Sequence, residues 1–290
     1  IVPAGATITG DGEALYEINV GEDALVQIGD PDLEEDPVII TEVGSFIFTE
    51  CTSVEIYNTQ ANNGGLELGL EWEFFHLISC DVIVVEDVTF TMDDLLCAAV
   101  QLRVAGAPNI GNVSRVSMTS NTYTEAGLSI AAEEGVLPDG LIISNCTFSG
   151  FDGGLRVDCG VDGDVAILNN NLNDNVFGVV VGGNIGAAEV IIRNNLFTET
   201  VGDIDPEGEV FGLTAGCALW IRSDANPLIC NNAFYDNEGT GLWARITPDD
   251  EDWDGEEPLR IFNNTFWNNG SDEDLEEVGD NGPNAVQFDF

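Results

Sequence analysis

Short apolar runs followed by asparagine recur along the whole chain. Five copies share one frame, in which three or four aliphatic residues precede an Asn and a large apolar residue follows three positions later. The anchoring residues are Asn145, Asn169, Asn194, Asn231 and Asn263, and the residues three further on are Phe148, Leu172, Phe197, Phe234 and Phe266. Weaker copies are anchored at Asn58, Asp87 and Ser120. Recurrence at this spacing indicates a repeat architecture.

A second apolar element follows each of these frames. It reads "GLRVDCG" at 154–160, "GVVVGGN" at 178–184, "ALWIRSD" at 218–224 and "GLWARIT" at 241–247. Its period-two alternation is typical of a strand with one buried face. Several short strands per repeat leave no room for helices. The pattern therefore predicts an all-β fold, a right-handed single-stranded parallel β-helix of about eight to ten coils stacked ~4.8 Å apart.

The repeats predict one solenoid domain over residues 1–290. Residues 1–50 fit the frame poorly and are interpreted as atypical opening coils, whereas 51–290 form regular coils. Acidic loop insertions are predicted at about 198–213, 247–258 and 267–283. Within each coil, Asn suits a tight bend because its short side chain tolerates unusual backbone angles. Stacking then predicts a ladder of hydrogen-bonded amides from the five anchoring asparagines, and a core column of the large apolar residues.

The "NNxF" and "GLxV" frames resemble the right-handed β-helix proteins of the pectate-lyase-like superfamily over about residues 50–290. That superfamily includes lyases, hydrolases, adhesins and inert surface proteins, so the resemblance implies a fold and leaves the activity open. Its pectate lyases use an Arg or Lys base facing calcium-binding Asp residues, and this chain has no Lys. The glycosidase motifs Gly-His-Gly and Arg-Ile-Lys are absent, and the single His76 lies in an apolar stretch typical of a core residue. Catalysis is therefore the weaker expectation.

The charge balance limits the classes of partner that the chain can bind. The chain has 53 acidic residues against 7 basic ones, for a formal net charge of −46. Binding of nucleic acid depends on basic residues that neutralise phosphates, so nucleic acid is excluded as a partner. No apolar run reaches the length of a membrane span, so no membrane insertion is expected. Such a charge favours a salt-rich habitat, bound calcium, or a solvated acidic surface.

Two features could bind a metal or join two coils. The stretch "TPDDEDWDGEEP" makes Asp249, Asp250, Asp252 and Asp254 candidate calcium ligands, although it does not match the EF-hand loop and solvated charge explains it equally well. Cys51 and Cys80 each lie seven residues before an anchor, which predicts that they are stacked neighbours. They could form a disulfide in an extracellular protein or remain two free core thiols.

The outward positions of the second strand bring Trp220 and Trp243 beside Arg222 and Arg245. One interpretation is a ligand-binding groove with an aromatic floor and acidic walls, suited to a polysaccharide or a protein. The alternative is that the loops bury both Trp rings and pair the Arg residues with their own acids. Sequence alone favours the second interpretation, because acidic insertions surround the four residues.

Uncapped end coils of a solenoid tend to add further strands. The chain ends on the strand "AVQFDF" with no capping element, which indicates either a fragment of a longer protein or head-to-tail self-association. We therefore expect a non-catalytic extracellular or cell-surface structural protein that forms filaments through its end coils and is stabilised by calcium. The alternatives are a carbohydrate-binding or polysaccharide-cleaving β-helix using the Trp/Arg groove, and an adhesin that recognises a protein.

Overall fold

Every regular element among the described residues is a β-strand. The computed structural model describes residues 1–9, 18–31, 36–41, 45–62, 73–92, 100–106, 110–131, 140–158, 164–182, 189–201, 216–221, 227–245, 259–270 and 286–289. In chain order the strands are β1 (Thr7–Thr9), β2 (Ile18–Val20), β3 (Leu25–Ile28), β4 (Val38–Thr41), β5 (Phe46–Thr49), β6 (Ser53–Asn62), β7 (Glu73–Ile78), β8 (Val82–Met92), β9 (Val100–Ala105), β10 (Ile110–Ser114), β11 (Ser117–Ala131), β12 (Leu141–Ser144), β13 (Thr147–Asp158), β14 (Asp164–Leu168), β15 (Asn171–Asn173), β16 (Phe177–Gly182), β17 (Glu189–Arg193), β18 (Leu196–Thr198), β19 (Cys217–Ile221), β20 (Leu228–Cys230), β21 (Ala233–Tyr235), β22 (Thr240–Arg245), β23 (Arg260–Phe262), β24 (Thr265–Trp267) and β25 (Val286–Asp289).

The chain winds through three parallel sheets, each built by stacking one strand segment per coil. Sheet A contains β3, β10, β12, β14, β17, β20, β23 and the first halves of β6 and β8. Sheet B contains β1, β4, β15, β18, β21, β24, the second halves of β6 and β8, and the first parts of β11 and β13. Sheet C contains β2, β5, β7, β9, β16, β19, β22, β25 and the last parts of β11 and β13. These pairings confirm the predicted all-β parallel solenoid.

The residues that follow the anchors stack into one core column along sheet B. In register, this column contains Ala61, Phe90, Met118, Phe148, Leu172, Phe197, Phe234 and Phe266. The ring centroids of Phe197 and Phe234 lie 4.7 Å apart, and those of Phe234 and Phe266 lie 4.6 Å apart, in nearly parallel planes. The predicted core column is confirmed, and the strand spacing explains it because identical rings one coil apart stack face over face.

Each anchor lies at the bend from sheet A to sheet B and has a left-handed backbone. The five anchoring asparagines have φ between 55° and 59°, and Asp87 has φ 56°. The prediction was wrong for the third coil, where it placed the anchor at Ser120. Met118 pairs with both Phe90 and Phe148, so the equivalent bend residue is Arg115, whose φ is 52°. An Arg at this position hid the frame because residues other than Gly, Asn and Asp seldom adopt this conformation.

A buried amide ladder runs one residue beyond the anchors. Its members are Asn170, Asn195, Asn232 and Asn264. Each Nδ2 donates to the Oδ1 of the Asn in the next coil, at 3.0 Å, 3.1 Å and 3.0 Å along the series. Each Oδ1 also accepts the backbone N–H of the Asn below it, at 2.9 Å in every case. The anchors themselves point outward, and only two exposed amide contacts join them, Asn194 to Asn169 and Asn263 to Asn231.

A second buried ladder lies at the bend from sheet B to sheet C. Asn175 Oδ1 accepts the backbone N–H of Phe151 at 3.0 Å, and Asn237 Oδ1 accepts that of Thr200 at 3.0 Å. Asn237 Nδ2 donates in turn to Asn269 Oδ1. Two corners of every later coil are thus held by side chains that satisfy backbone groups which would otherwise be buried without partners. Positive φ again falls on the preceding residue, Asp174 or Asp236.

Candidate functional site on the outer face of sheet C

The predicted Trp/Arg groove lies on the outward side of sheet C, where one column of side chains crosses all coils. In register this column contains Ile47, His76, Arg103, Ser129, Arg156, Val180, Trp220, Trp243 and Gln287. Trp220 and Trp243 are therefore stacked neighbours, as the sequence predicted. Arg103 also belongs to this column, because it pairs with both His76 and Ser129.

Trp220 packs into a small apolar cluster outside the main core. Its ring is 3% exposed and lies 5.4 Å from the ring of Phe177 and 6.4 Å from that of Trp243. Val176, Val180 and Cys217 complete the cluster, and Trp243 is partly exposed at its edge. The ring of Trp220 is therefore covered, in agreement with the second of the two interpretations, and has no free face on which a sugar ring could stack.

Only part of the predicted groove can be compared with the structure. Arg222 lies outside the described residues, as do Asp249, Asp250, Asp252 and Asp254. The backbone of Arg245 pairs with Asp289 at the edge of sheet C, and its side chain is outside the described part. The calcium ligands and the cationic half of the groove therefore stay predictions.

The charged side chains that are described on this face form ion pairs. Arg103 Nη1 lies 2.6 Å from Glu73 Oε1, and His76 Nδ1 lies 3.7 Å from Glu73 Oε2. Arg156 is 8% exposed and donates through Nη2 to Asp152 Oδ2 at 2.9 Å. His76 thus lies on the outer face beside a carboxylate, and the prediction that it is a core residue was wrong. Sequence reasoning missed the pair of Arg103 and Glu73 because the acid and the base lie on neighbouring coils.

Cys51 and Cys80 occupy equivalent bends in neighbouring coils, as predicted, and Cys51 O accepts the backbone N–H of Asp81 at 3.0 Å. Both are buried free thiols that hydrogen-bond to backbone carbonyls, Cys51 to Val20 O and Cys80 to Phe48 O. Burial raises the pKa of the Cys80 thiol to about 12 and also raises the pKa of Cys51. In the structure both side chains are free thiols, and a disulfide between them in an oxidising compartment stays a prediction.

The described part of the chain holds no group of three or more His, Cys, Asp or Glu side chains that could bind a metal ion. The five described thiols, at Cys51, Cys80, Cys146, Cys217 and Cys230, are buried, and burial raises the pKa values of Cys80, Cys146 and Cys217. Among the described residues, no helix is long and apolar enough to cross a membrane.

Sequence reasoning also missed an exposed aromatic pair on sheet B. Tyr235 and Trp267 are stacked in register and point outward, and Trp267 is 67% exposed. The sequence pattern could have identified this pair. Each residue directly follows a member of the core column, Phe234 or Phe266, and the period-two alternation of a strand places it on the opposite face.

Comparison with known proteins identifies one family. The sequence model described as "Periplasmic copper-binding protein (NosD)" matches residues 105–284, which is more than half of the chain. No curated protein and no solved structure matches the chain.

Proposed function

We propose that this chain, which belongs to the NosD family of β-helix repeat proteins, is a non-catalytic structural protein of the periplasm or cell surface. The matched family is described as periplasmic. A surface location in this protein is our own extension of that description. The proposal assigns the solenoid the role of a rigid scaffold that holds its loops and faces in fixed positions.

One observation carries the non-catalytic part of the proposal. On sheet C, the side chains that could serve as a catalytic acid, a base or an aromatic platform contact one another or pack within the protein. Glu73 contacts both His76 and Arg103, Arg156 is buried with Asp152, and the ring of Trp220 packs within an apolar cluster. A catalytic group must reach the reacting atoms of a substrate, and the buried members of this group do not.

The family description mentions copper, and the described residues of this chain do not fit a copper site. Copper favours imidazole, thiolate and thioether ligands. The single His76 contacts Glu73, and all five described thiols are buried, with those of Cys51, Cys80, Cys146 and Cys217 hydrogen-bonded to backbone carbonyls. We therefore derive no function from copper.

The test of the proposal is a turnover assay. The purified protein is incubated with neutral and anionic polysaccharides, with and without calcium, and new reducing ends and unsaturated products are measured. We expect no product above the blank. Product formation that disappears in Glu73→Gln, but not in a control such as Thr52→Ala, at an exposed residue outside sheets B and C, would show that the face is catalytic.

Calcium binding and self-association are two further parts of the proposal. The acidic segment 247–258 contains seven carboxylates, and bound cations would relieve the self-repulsion of a chain of charge −46. Electron microscopy with and without a calcium chelator tests both parts together. Regular fibres that disperse on chelation are expected, whereas dispersed single molecules under both conditions would refute assembly.

A further inference from the structure

The outward face of sheet B carries no charge. Its ten stacked strand segments alternate inward and outward residues, which gives twenty outward positions, from Thr7 and Thr9 at one end to Thr265 and Trp267 at the other. Nine of the twenty are Thr, two Ser, three Asn and one Gln, three are aliphatic, and the last two are Tyr235 and Trp267. Charged residues make up 21% of the chain, so about four of twenty positions would be charged on average.

The face is long and regular. Strands in a sheet lie about 4.8 Å apart, so ten of them extend over about 43 Å, with outward side chains of one strand about 6.7 Å apart. Hydroxyl and amide groups run without a break from Thr9 to Thr198 in one column, and Ile39, Leu196 and Ala233 interrupt the other. The hydroxyl and amide groups can both donate and accept hydrogen bonds without a net charge.

Acidic side chains border one edge of the face. Asp174, Glu199 and Asp236 each directly follow an outward residue, at the bend into sheet C. Asn173 Nδ2 donates to Glu199 Oε2 at 3.5 Å, and Asn268 Nδ2 donates to Asp236 Oδ1 at 2.8 Å. These carboxylates repel anions and accept hydrogen bonds from hydroxyl groups.

We propose that the outward face of sheet B binds a neutral polysaccharide, with Trp267 and Tyr235 as the platform for its sugar rings. Repulsion between stacked like charges explains why acids are absent from the columns. It does not explain a Trp that is 67% exposed beside a Tyr in register, because Tyr and Trp are enriched at interfaces, where one end of the side chain is apolar and the other contacts water. The uncharged columns, acidic border and net charge of −46 favour a neutral ligand rich in hydroxyl groups over pectin-like polyanions.

The face is distinct from the Trp/Arg groove of sheet C, so the two can be tested separately. The probes are insoluble cellulose, chitin and β-1,3-glucan, with polygalacturonate as the anionic comparison, and the readout is protein depleted from the supernatant. The variants are Trp267→Ala and Thr198→Asp. Phe262→Ala and Thr52→Asp are matched controls, because Phe262 is an aromatic residue 54% exposed in the same coil on sheet A and Thr52 is exposed outside sheet B.

We expect binding to at least one neutral polysaccharide and none to polygalacturonate. Trp267→Ala should weaken that binding about tenfold, the usual effect of losing an aromatic anchor, and Thr198→Asp should weaken it as well. The controls should bind like the original chain. Retention of full binding by Trp267→Ala, equal loss in Phe262→Ala, or no binding to any of the three neutral probes would overturn the proposal. Turnover of a polysaccharide would instead refute the non-catalytic function, so the two failures are distinguishable.

Discussion

Replacing Asn195 by Ala should destabilise the solenoid strongly, because this side chain makes four buried hydrogen bonds. Its Nδ2 donates to Ile167 O at 2.9 Å and to Asn232 Oδ1 at 3.1 Å. Its Oδ1 accepts from the backbone N–H and the Nδ2 of Asn170, at 2.9 Å and 3.0 Å. In Asn195→Ala the backbone N–H of Asn170 loses its partner and Ile167 O loses an amide donor, both inside the coil.

The expected cost follows from these two backbone groups. A buried polar group left without its partner costs about 1 to 3 kcal/mol, so the free energy of unfolding should fall by about 2 to 6 kcal/mol. The neighbouring Asn194 is exposed, has φ 59° and contacts only the exposed amide of Asn169. Asn194→Gly keeps the left-handed conformation without strain and should change the stability by no more than about 0.5 kcal/mol.

Urea unfolding followed by circular dichroism measures both variants. The midpoint of Asn195→Ala should move to lower urea with an unchanged slope, because the area exposed on unfolding stays the same. Equal losses of unfolding free energy in Asn194→Gly and Asn195→Ala, or no loss in either, would show that the second Asn of each pair is not the stabilising one.

Three further variants test other contacts. Phe234→Ala removes the central ring of the stacked core column and should lower the free energy of unfolding in urea by about 3 to 5 kcal/mol. Phe262→Ala, at an exposed ring, should leave it nearly unchanged. Similar losses in the two variants would contradict the column. Asp152→Ala leaves Arg156 buried without this carboxylate and should lower the free energy of unfolding by about 3 kcal/mol. An unchanged free energy of unfolding would mean that the pair is solvated. Burial raises the pKa of Cys80 to about 12, so the unfolded chain loses this proton at lower pH and stability should fall as pH rises from about 9 towards 12. Cys80→Ala should flatten that decline, and an unchanged pH profile would exclude the thiol as its cause.

The fold was predictable because its two signals are local. The period-two alternation identifies the buried face of a strand within a few residues, and the anchoring Asn identifies the bend that follows. The column from Phe148 to Phe266 follows from both. The ladder was misplaced by one residue because an Asn-Asn pair offers two amides, and sequence does not state which one has the positive φ. That residue points outward, and the next one points inward.

The site could not be predicted to the same depth. The burial of Trp220 depends on Phe177 and Val176 in the neighbouring coil, and nothing in the alternation of one strand distinguishes an outward side chain that is covered from one in solvent. The pairing of Arg103 with Glu73 likewise depends on the register between two coils, in a stretch where the repeat is weak. Trp267 showed a different error, since the same alternation places it on the outward face and it was overlooked.

The corner ladders make the solenoid adjustable in length. Consecutive anchors from Asn145 to Asn263 are separated by 24, 25, 37 and 32 residues, yet the strands on either side keep the same register throughout. Added residues are therefore absorbed between strands, and each coil offers the next one the same amide. Duplication or loss of one coil would change the axial length of the solenoid by about 4.8 Å. The coils on either side would still meet through the same amide contacts, so the length of such a protein can change during evolution in steps of one coil.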